Sequence, residues 1–277
     1  MSAPATPGVV STDAATSARA RFVHDGFVAS ARWYDPLTRV FSFGLDARWR
    51  RACVERCGLR PGQTVLDVAT GTGELAIAAR RAVGRRGVAV GLDFCRPMLG
   101  EGQRKIARGN AGRVAWVQGR AEALPFRSAA FDGVVLGFAL RHVEDLGVAI
   151  RDIVRVVRPG GRFAVVEWTR PEAAVPRWLF LSYMRWVVPP LVRLLSGDGR
   201  VGALAAYLPR TIARFMPGPM LGDHLEAAGL RVLEIRGYMG GLVSLCVCVK
   251  LSAAGGARCV AIRAGHRDEV VPTAGRL

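Results

Sequence analysis

Lysine is nearly missing from this chain: of 39 basic residues only Lys105 and Lys250 are lysines, so almost all the positive charge is arginine. Against 22 acidic residues this leaves a formal net charge of +17, a balance that invites a nucleic-acid or anionic-membrane partner. The arginines are scattered through helical segments, not gathered in one stripe with interleaved aromatics, and the abundant Ala, Gly and Val beside them fit a compositional bias. Nucleic acid is therefore set aside as a partner, and a membrane surface stays open. Long apolar runs are also absent. The best candidate, 178–195, is broken by Arg185, Pro189, Pro190 and Arg193, so no transmembrane span is expected. Residues 1–21, rich in Ala, Ser, Thr and Pro, carry no apolar signal core and read as a disordered tail. The expected setting is cytoplasmic, with a peripheral place at the inner face of the membrane left open. Metal-site spacing is lacking as well. Cys53 and Cys57 sit one turn apart on a helix and Cys246 and Cys248 share a strand face, which fits buried thiols, no metal and no disulfide framework.

What is present is a strand that runs into a glycine turn and a helix: Val65-Leu66-Asp67-Val68-Ala69-Thr70-Gly71-Thr72-Gly73-Glu74. Gly71 and Gly73 allow a tight turn and a close ligand, and Asp93 ends a second strand about twenty residues later, where an acid can take both ribose hydroxyls. Together these indicate a nucleoside cofactor. A dinucleotide site would carry a third glycine and a helix start free for pyrophosphate. Here Glu74 opens the helix, which suits a ligand with a sulfonium and an α-amino group, as in S-adenosylmethionine. No tyrosine is followed four residues later by lysine, so the proton-relay pair of short-chain dehydrogenases is missing.

Strand and helix signals alternate after residue 60. Apolar runs at 64–69, 88–92, 114–118, 131–136 and 162–168 are separated by helical segments, and two further strands are expected at 231–235 and 243–251. One helix, 146–157, is stopped by Arg158-Pro159-Gly160-Gly161. Such alternation predicts an α/β fold, a mostly parallel sheet with helices on both faces, with the ligand beyond the carboxyl ends of the strands, where Gly71, Asp93, Ala121 and Gly137 converge. Within a domain of residues 22–251, two regions stand outside this pattern: a helical cover at 22–60 and an apolar helical insertion at 171–222. Residues 252–277 have no clear period and read as a flexible extension.

These residues resemble class I S-adenosylmethionine methyltransferases, and specifically the quinone C-methyltransferases of ubiquinone and menaquinone biosynthesis. The likeness rests on Phe27–Asp35, Ser42-Phe43-Gly44 with Trp49-Arg50, Val65–Leu75, Gly91–Phe94 with Met98-Leu99, and Ala121–Phe126. It continues through Leu140-Arg141, Arg158–Gly161, Val166–Pro171 and, in the insertion, Val188-Pro189, Ser196–Asp198, Tyr207-Leu208 and Phe215–Pro217. It spans about residues 22–250 and implies a Rossmann-like seven-stranded sheet. It further implies that Thr72 and Asp93 hold the cofactor, Asp67, Gly71 and Gly73 shape its pocket, Phe94 belongs to the same site, Arg120 and Ala121 flank the adenine, and Gly137 lies beside the methionyl end. The chain departs from the family pattern at Thr38, Arg120, Gly137, Ala139 and His142.

The activity implied is methyl transfer to a ring carbon of a reduced, isoprenylated quinone. Arg141 would stabilise the developing phenolate, and His142, with an ordinary pKa near neutrality, would act as base. The structural alternatives are an Arg141 paired with Glu144 or Asp145 and a solvated loop histidine. The insertion, with Trp178, Phe180, Tyr183, Met184 and Trp186 among its apolar residues, would cover a lipophilic acceptor or rest on a bilayer through Arg177, Arg185 and Arg193; core packing or a homodimer interface competes with both. Three other readings stand: a small-molecule or phospholipid methyltransferase, a nucleic-acid methyltransferase, disfavoured because no Asn/Asp-Pro-Pro-aromatic motif follows the fourth strand, and a non-catalytic cofactor-binding scaffold.

Overall fold

A computed structural model describes residues 13–109, 112–171 and 173–252. Residues 253–277 of the expected extension and residues 1–12 of the expected tail lie outside the described residues.

Seven strands form one sheet: β1 (Thr64–Val68), β2 (Val88–Asp93), β3 (Ala115–Gln118), β4 (Phe131–Gly137), β5 (Val157–Trp168), β6 (Leu230–Tyr238) and β7 (Val243–Lys250). Their order is β3-β2-β1-β4-β5-β7-β6. The first five are parallel, and β7 runs antiparallel between β5 and β6. Because helices cover both faces, the central strands are largely apolar and buried, and their alternation sorts neighbouring residues into two cores. Val65, Val135, Ala164 and Val166 join one core; Leu66, Val134, Leu136 and Val165 join the other. The first core takes up α3 (Leu45–Cys57) and α4 (Glu74–Val83), and the second α6 (Leu146–Val156) and α10 (Gly218–Ala227). Strand β1 has β2 on one side and β4 on the other, so winding reverses there and a crevice opens beyond its carboxyl end.

Helix α1 (Asp13–Ser30) begins inside the segment expected to be a disordered tail. Its ordering follows from packing: α1 lies on α9 (Gly199–Arg214), Phe22 meets the Tyr207 ring edge-on at 5.5 Å, and Val23 is buried. Helix α2 (Tyr34–Phe41) completes the cover with α3, and α5 (Arg96–Arg108) joins β2 to β3. The insertion consists of α7 (Ala174–Trp186), α8 (Val188–Ser196) and α9; α10 starts within its expected limits but packs on β6 and β7 as a sheet helix. Arg158–Gly161 does not separate helix from strand. Val157 already pairs with Phe131, the register then jumps so that Gly133 meets Arg162, and the intervening residues bulge out within β5. Asp132 holds this bulge by accepting from Arg158 at 2.5 Å.

Candidate active site

At the carboxyl edge of the sheet lies a cavity of about 280 Å³, the size class of a small organic ligand. Its floor is made by Ala69 and Gly71 after β1, Asp93 and Phe94 at the end of β2, and Gly137 and Phe138 at the end of β4. Val23, His24 and Phe27 of α1 form its roof. Two non-glycine residues here have left-handed backbones, Ala69 (φ 52°) and Phe138 (φ 61°), and both are cavity residues; such strain persists where surrounding structure enforces it.

The two loop glycines have different jobs. Gly71 (φ +55°) lines the cavity, and no atom lies within 4 Å of where a Cβ would stand. Gly73 (φ +83°) does not line it; a Cβ there would sit 2.4 Å from the Trp116 ring. Gly71 leaves room for a ligand and Gly73 leaves room for the protein. Behind the loop, Asp67 accepts from the Thr70 hydroxyl at 2.5 Å and from the Ala76 amide at 2.8 Å, bracing the start of α4. Burial pushes its carboxyl up to about 7. Asp93 faces the cavity, with one oxygen accepting from the Gly71 amide at 2.7 Å and the other from the Cys95 amide at 2.8 Å. Burial raises its pKa to about 6, against the opposing pull of those backbone donors.

Thr72 is not on the cavity wall. Its hydroxyl donates to Asp35 at 2.6 Å, and Asp35 in turn meets Lys105 at 2.5 Å, so the loop is tied to α2 and α5. Lys105 also pairs with Glu74 at 2.6 Å. The carboxylate expected to favour a cationic ligand is thus neutralised by one of the chain's two lysines and lies away from the cavity. Ala121 lines the cavity, as does Arg120, whose guanidinium is directed to Glu144 at 2.7 Å and remains half exposed. Gly137 also lines it, and the place a larger residue would occupy is taken by Leu75, 2.6 Å from an ideal Cβ.

A second, smaller pocket of about 70 Å³ adjoins the first and shares Phe27, Tyr34 and Phe138 with it. Its wall is largely apolar, built from residues such as Trp168, Met184 and Leu204, and among the described residues Arg141 is its one charged lining residue. Arg141 is buried and pairs with neither Glu144 nor Asp145. It donates to the Phe138 carbonyl at 2.7 Å and to Glu167 on β5, a fully buried carboxylate whose pKa is raised by burial and pulled back by the arginine. Asp145 caps α6 through the Val148 amide instead. His142 is no solvated loop residue and its pKa is not near neutral. It is enclosed between the Phe27 and Tyr207 rings, neither ring nitrogen has a partner among the described residues, and burial, then Arg141 and Arg19, hold it well below the usual histidine value. The imidazole is therefore neutral and faces the larger cavity.

Of the residues expected from the sequence, Gly71, Asp93, Phe94, Arg120, Ala121, Gly137 and His142 meet around the larger cavity, Arg141 faces the smaller, and Asp67, Thr72 and Gly73 stand behind the loop. Sequence reading missed the Glu167 partner and the Asp35–Lys105 tie; the rarity of lysine was the available signal for the latter. Among the described residues no group of three or more His, Cys, Asp or Glu is placed to hold a metal ion.

The sheet order and antiparallel last strand are those of the Rossmann-like class I methyltransferase fold, which the structural neighbours share. A methyltransferase of that kind from Aquifex aeolicus superposes with a TM-score of 0.54 at 18% identity, covering 73% of this chain and 89% of its own. The [4+2]-cyclase SpnF gives 0.59 at 19% identity over 83% and 95%, so likeness of fold alone leaves the reaction open. The chain belongs to the ubiE/COQ5 methyltransferase family, whose sequence model matches residues 14–250. Relatives include a ubiquinone/menaquinone biosynthesis C-methyltransferase UbiE from Shewanella woodyi, 35% identical over 228 residues, 82% of this chain and 90% of that protein. A demethylmenaquinone methyltransferase from Shouchella clausii is 30% identical over 230 residues, 82% of this chain and 96% of that protein.

Proposed function

We propose that the chain methylates a ring carbon of an isoprenylated quinol, with S-adenosylmethionine in the larger cavity and the acceptor in the smaller. The observation that carries this reading is the junction of a cavity that holds the Asp93 carboxylate with an apolar pocket whose one charged lining residue among the described residues is Arg141. The names of the relatives point the same way. The open space at Gly71 and the carboxylate of Asp93 fit the ribose, Phe94 and Ala121 fit the adenine, and Gly137 lies on the methionyl side. Arg120 offers the adenine edge its backbone, since its side chain is held by Glu144. Asp67, Thr72 and Gly73 shape the loop from behind.

When bound, S-adenosylmethionine supplies a methyl on a positively charged sulfur, already a strong electrophile. The protein must then align the acceptor carbon and raise its electron density. The positive charge of Arg141 beside the acceptor pocket lowers the pKa of a quinol hydroxyl and holds the phenolate. Burial, reinforced by the same field, makes His142 a weak base and keeps it neutral, with one unprotonated ring nitrogen to receive that proton. What weakens the base strengthens the acid it acts on.

The insertion would also rest on a membrane surface. Residues 173–197 contain Arg177, Arg185 and Arg193 and no acid, while Trp178 (67% exposed), Trp186 (70%) and Leu194 (80%) face solvent. No helix among the described residues is long and apolar enough to cross a membrane. Light scattering distinguishes this contact from a homodimer through the same face.

The test is an assay of the purified chain with demethylmenaquinol, phosphatidylethanolamine and simple phenols as acceptors, read as a methyl gain by mass spectrometry. Methylated quinol with wild type and none with Asp93→Ala is the expected outcome. Methylated phenols without methylated quinol would overturn the acceptor and keep the cofactor.

A further inference from the structure

A third pocket, open and of about 430 Å³, lies between α1 and the carboxyl end of α9. Its charged lining consists of Arg19, Arg141, Arg210 and Arg214, with Tyr207 and Thr211 between them and, among the described residues, no carboxylate. Like charges gathered in a recess repel, and water screens them only in part. Arg56, Arg120, Arg155, Arg158, Arg200 and Arg236 each meet a carboxylate oxygen at 2.5–3.1 Å, while other surface arginines, Arg85 and Arg86 among them, have none among the described residues; this recess is set apart by the convergence of its cations. Among the described residues Arg19, Arg210 and Arg214 have no such partner. The helix dipole accounts for cations in the last turn of α9, but not for Arg19 from α1 or Arg141 from the turn after β4.

Arg141 lines both this recess and the smaller pocket of the active site. Arg141 is only 8% exposed and donates to Glu167 through Nη1, yet its buried Nε, an obligatory donor, has no partner. Arg210 and Arg214 stand one turn apart on α9, as do Tyr207 and Thr211, so all four present one side. Arg19 reaches across and donates to the Tyr207 hydroxyl at 3.1 Å.

We infer that this pocket binds a phosphate group, carried by an anionic phospholipid or as free phosphate. Several guanidinium forks around one recess match a tetrahedral anion with several acceptor oxygens better than a single carboxylate. The site is coupled to the reaction centre: bound phosphate offsets the field of Arg19 and Arg141, the two cations that bear on His142. It does not depend on the identity of the methyl acceptor.

The experiment uses the full chain, Arg210→Gln/Arg214→Gln, and a control with equal loss of charge, Arg85→Gln/Arg86→Gln, in the exposed turn at the amino edge of the sheet. Both pairs are exposed, so neither substitution threatens folding. Calorimetric titration with inorganic phosphate and flotation with phosphatidylglycerol vesicles are the two arms. A loss of about tenfold or more in phosphate affinity confined to the α9 variant supports the site with free phosphate as ligand. A loss confined to vesicle binding supports it with the lipid headgroup. If the α9 variant matches the control in both arms, the pocket is not a phosphate site.

Discussion

The two halves of the active site are built on opposite principles. On the glycine-loop side, Asp93 has backbone donors on both oxygens, and the loop is braced through Asp67, Asp35 and Lys105. On the insertion side, four of the six buried polar atoms without a partner among the described residues belong to Arg141, His142 and Glu167. Unmade hydrogen bonds in a dry setting are costly, and they persist where a ligand or a developing charge is to be met. The first half is preorganised to recognise; the second holds polar capacity in reserve.

The largest expected effect breaks the second half. Glu167→Ala strands a buried guanidinium and should cost about 3–5 kcal/mol, read by chemical denaturation. Arg141→Met/Glu167→Leu removes both charges and should recover most of that stability while leaving the chain inactive. An active double variant would mean that the pair serves packing alone.

Within the first half, Gly73→Ala forces a methyl into Trp116 at a left-handed backbone position and should cost about 2–4 kcal/mol. Gly71→Ala, in open space, should cost only about 1 kcal/mol in stability yet lower S-adenosylmethionine affinity tenfold or more, measured by calorimetry. Equal effects on both quantities would erase the distinction between a ligand glycine and a packing glycine.

A smaller effect comes from pH. Asp93 has a folded pKa of about 6, above its ordinary 3.8, so its favourable contribution to folding is present at low pH and is lost as pH rises through about 6. Cofactor affinity should run the other way, because only the carboxylate accepts from two ribose hydroxyls; below pH 6 it should fall by up to about tenfold per pH unit, or about 1.4 kcal/mol. Asp93→Asn should flatten that slope. A wild-type affinity independent of pH between 5 and 7 would remove Asp93 from the ribose site.

The smallest change in stability is expected at the surface. Trp178→Ser/Trp186→Ser should shift unfolding by no more than about 0.5 kcal/mol and still abolish flotation with anionic vesicles. Unaltered flotation would place membrane contact elsewhere.

The strands, their alternation with helices, the glycine turn and Asp93 were legible in the sequence because each follows from local periodicity or short spacing. Glu74 shows the limit of such reasoning: its position at the helix start implied a free carboxylate, but Lys105, 31 residues away, neutralises it. His142 shows it again, since a histidine after a strand has no fixed pKa until its enclosure and its charged neighbours are known.

By itself the sequence determined the α/β class, the place of the cofactor loop and the family, because hydrophobic period and ordered motifs are properties of the chain alone. Tertiary structure alone decided which glycine faces the cavity, that Arg141 pairs with Glu167 and not with its sequence neighbours, and that α1 closes over the site. Those outcomes depend on which distant atoms share a few ångströms of poorly solvated space, and burial and charge pairing there are set by the packed whole.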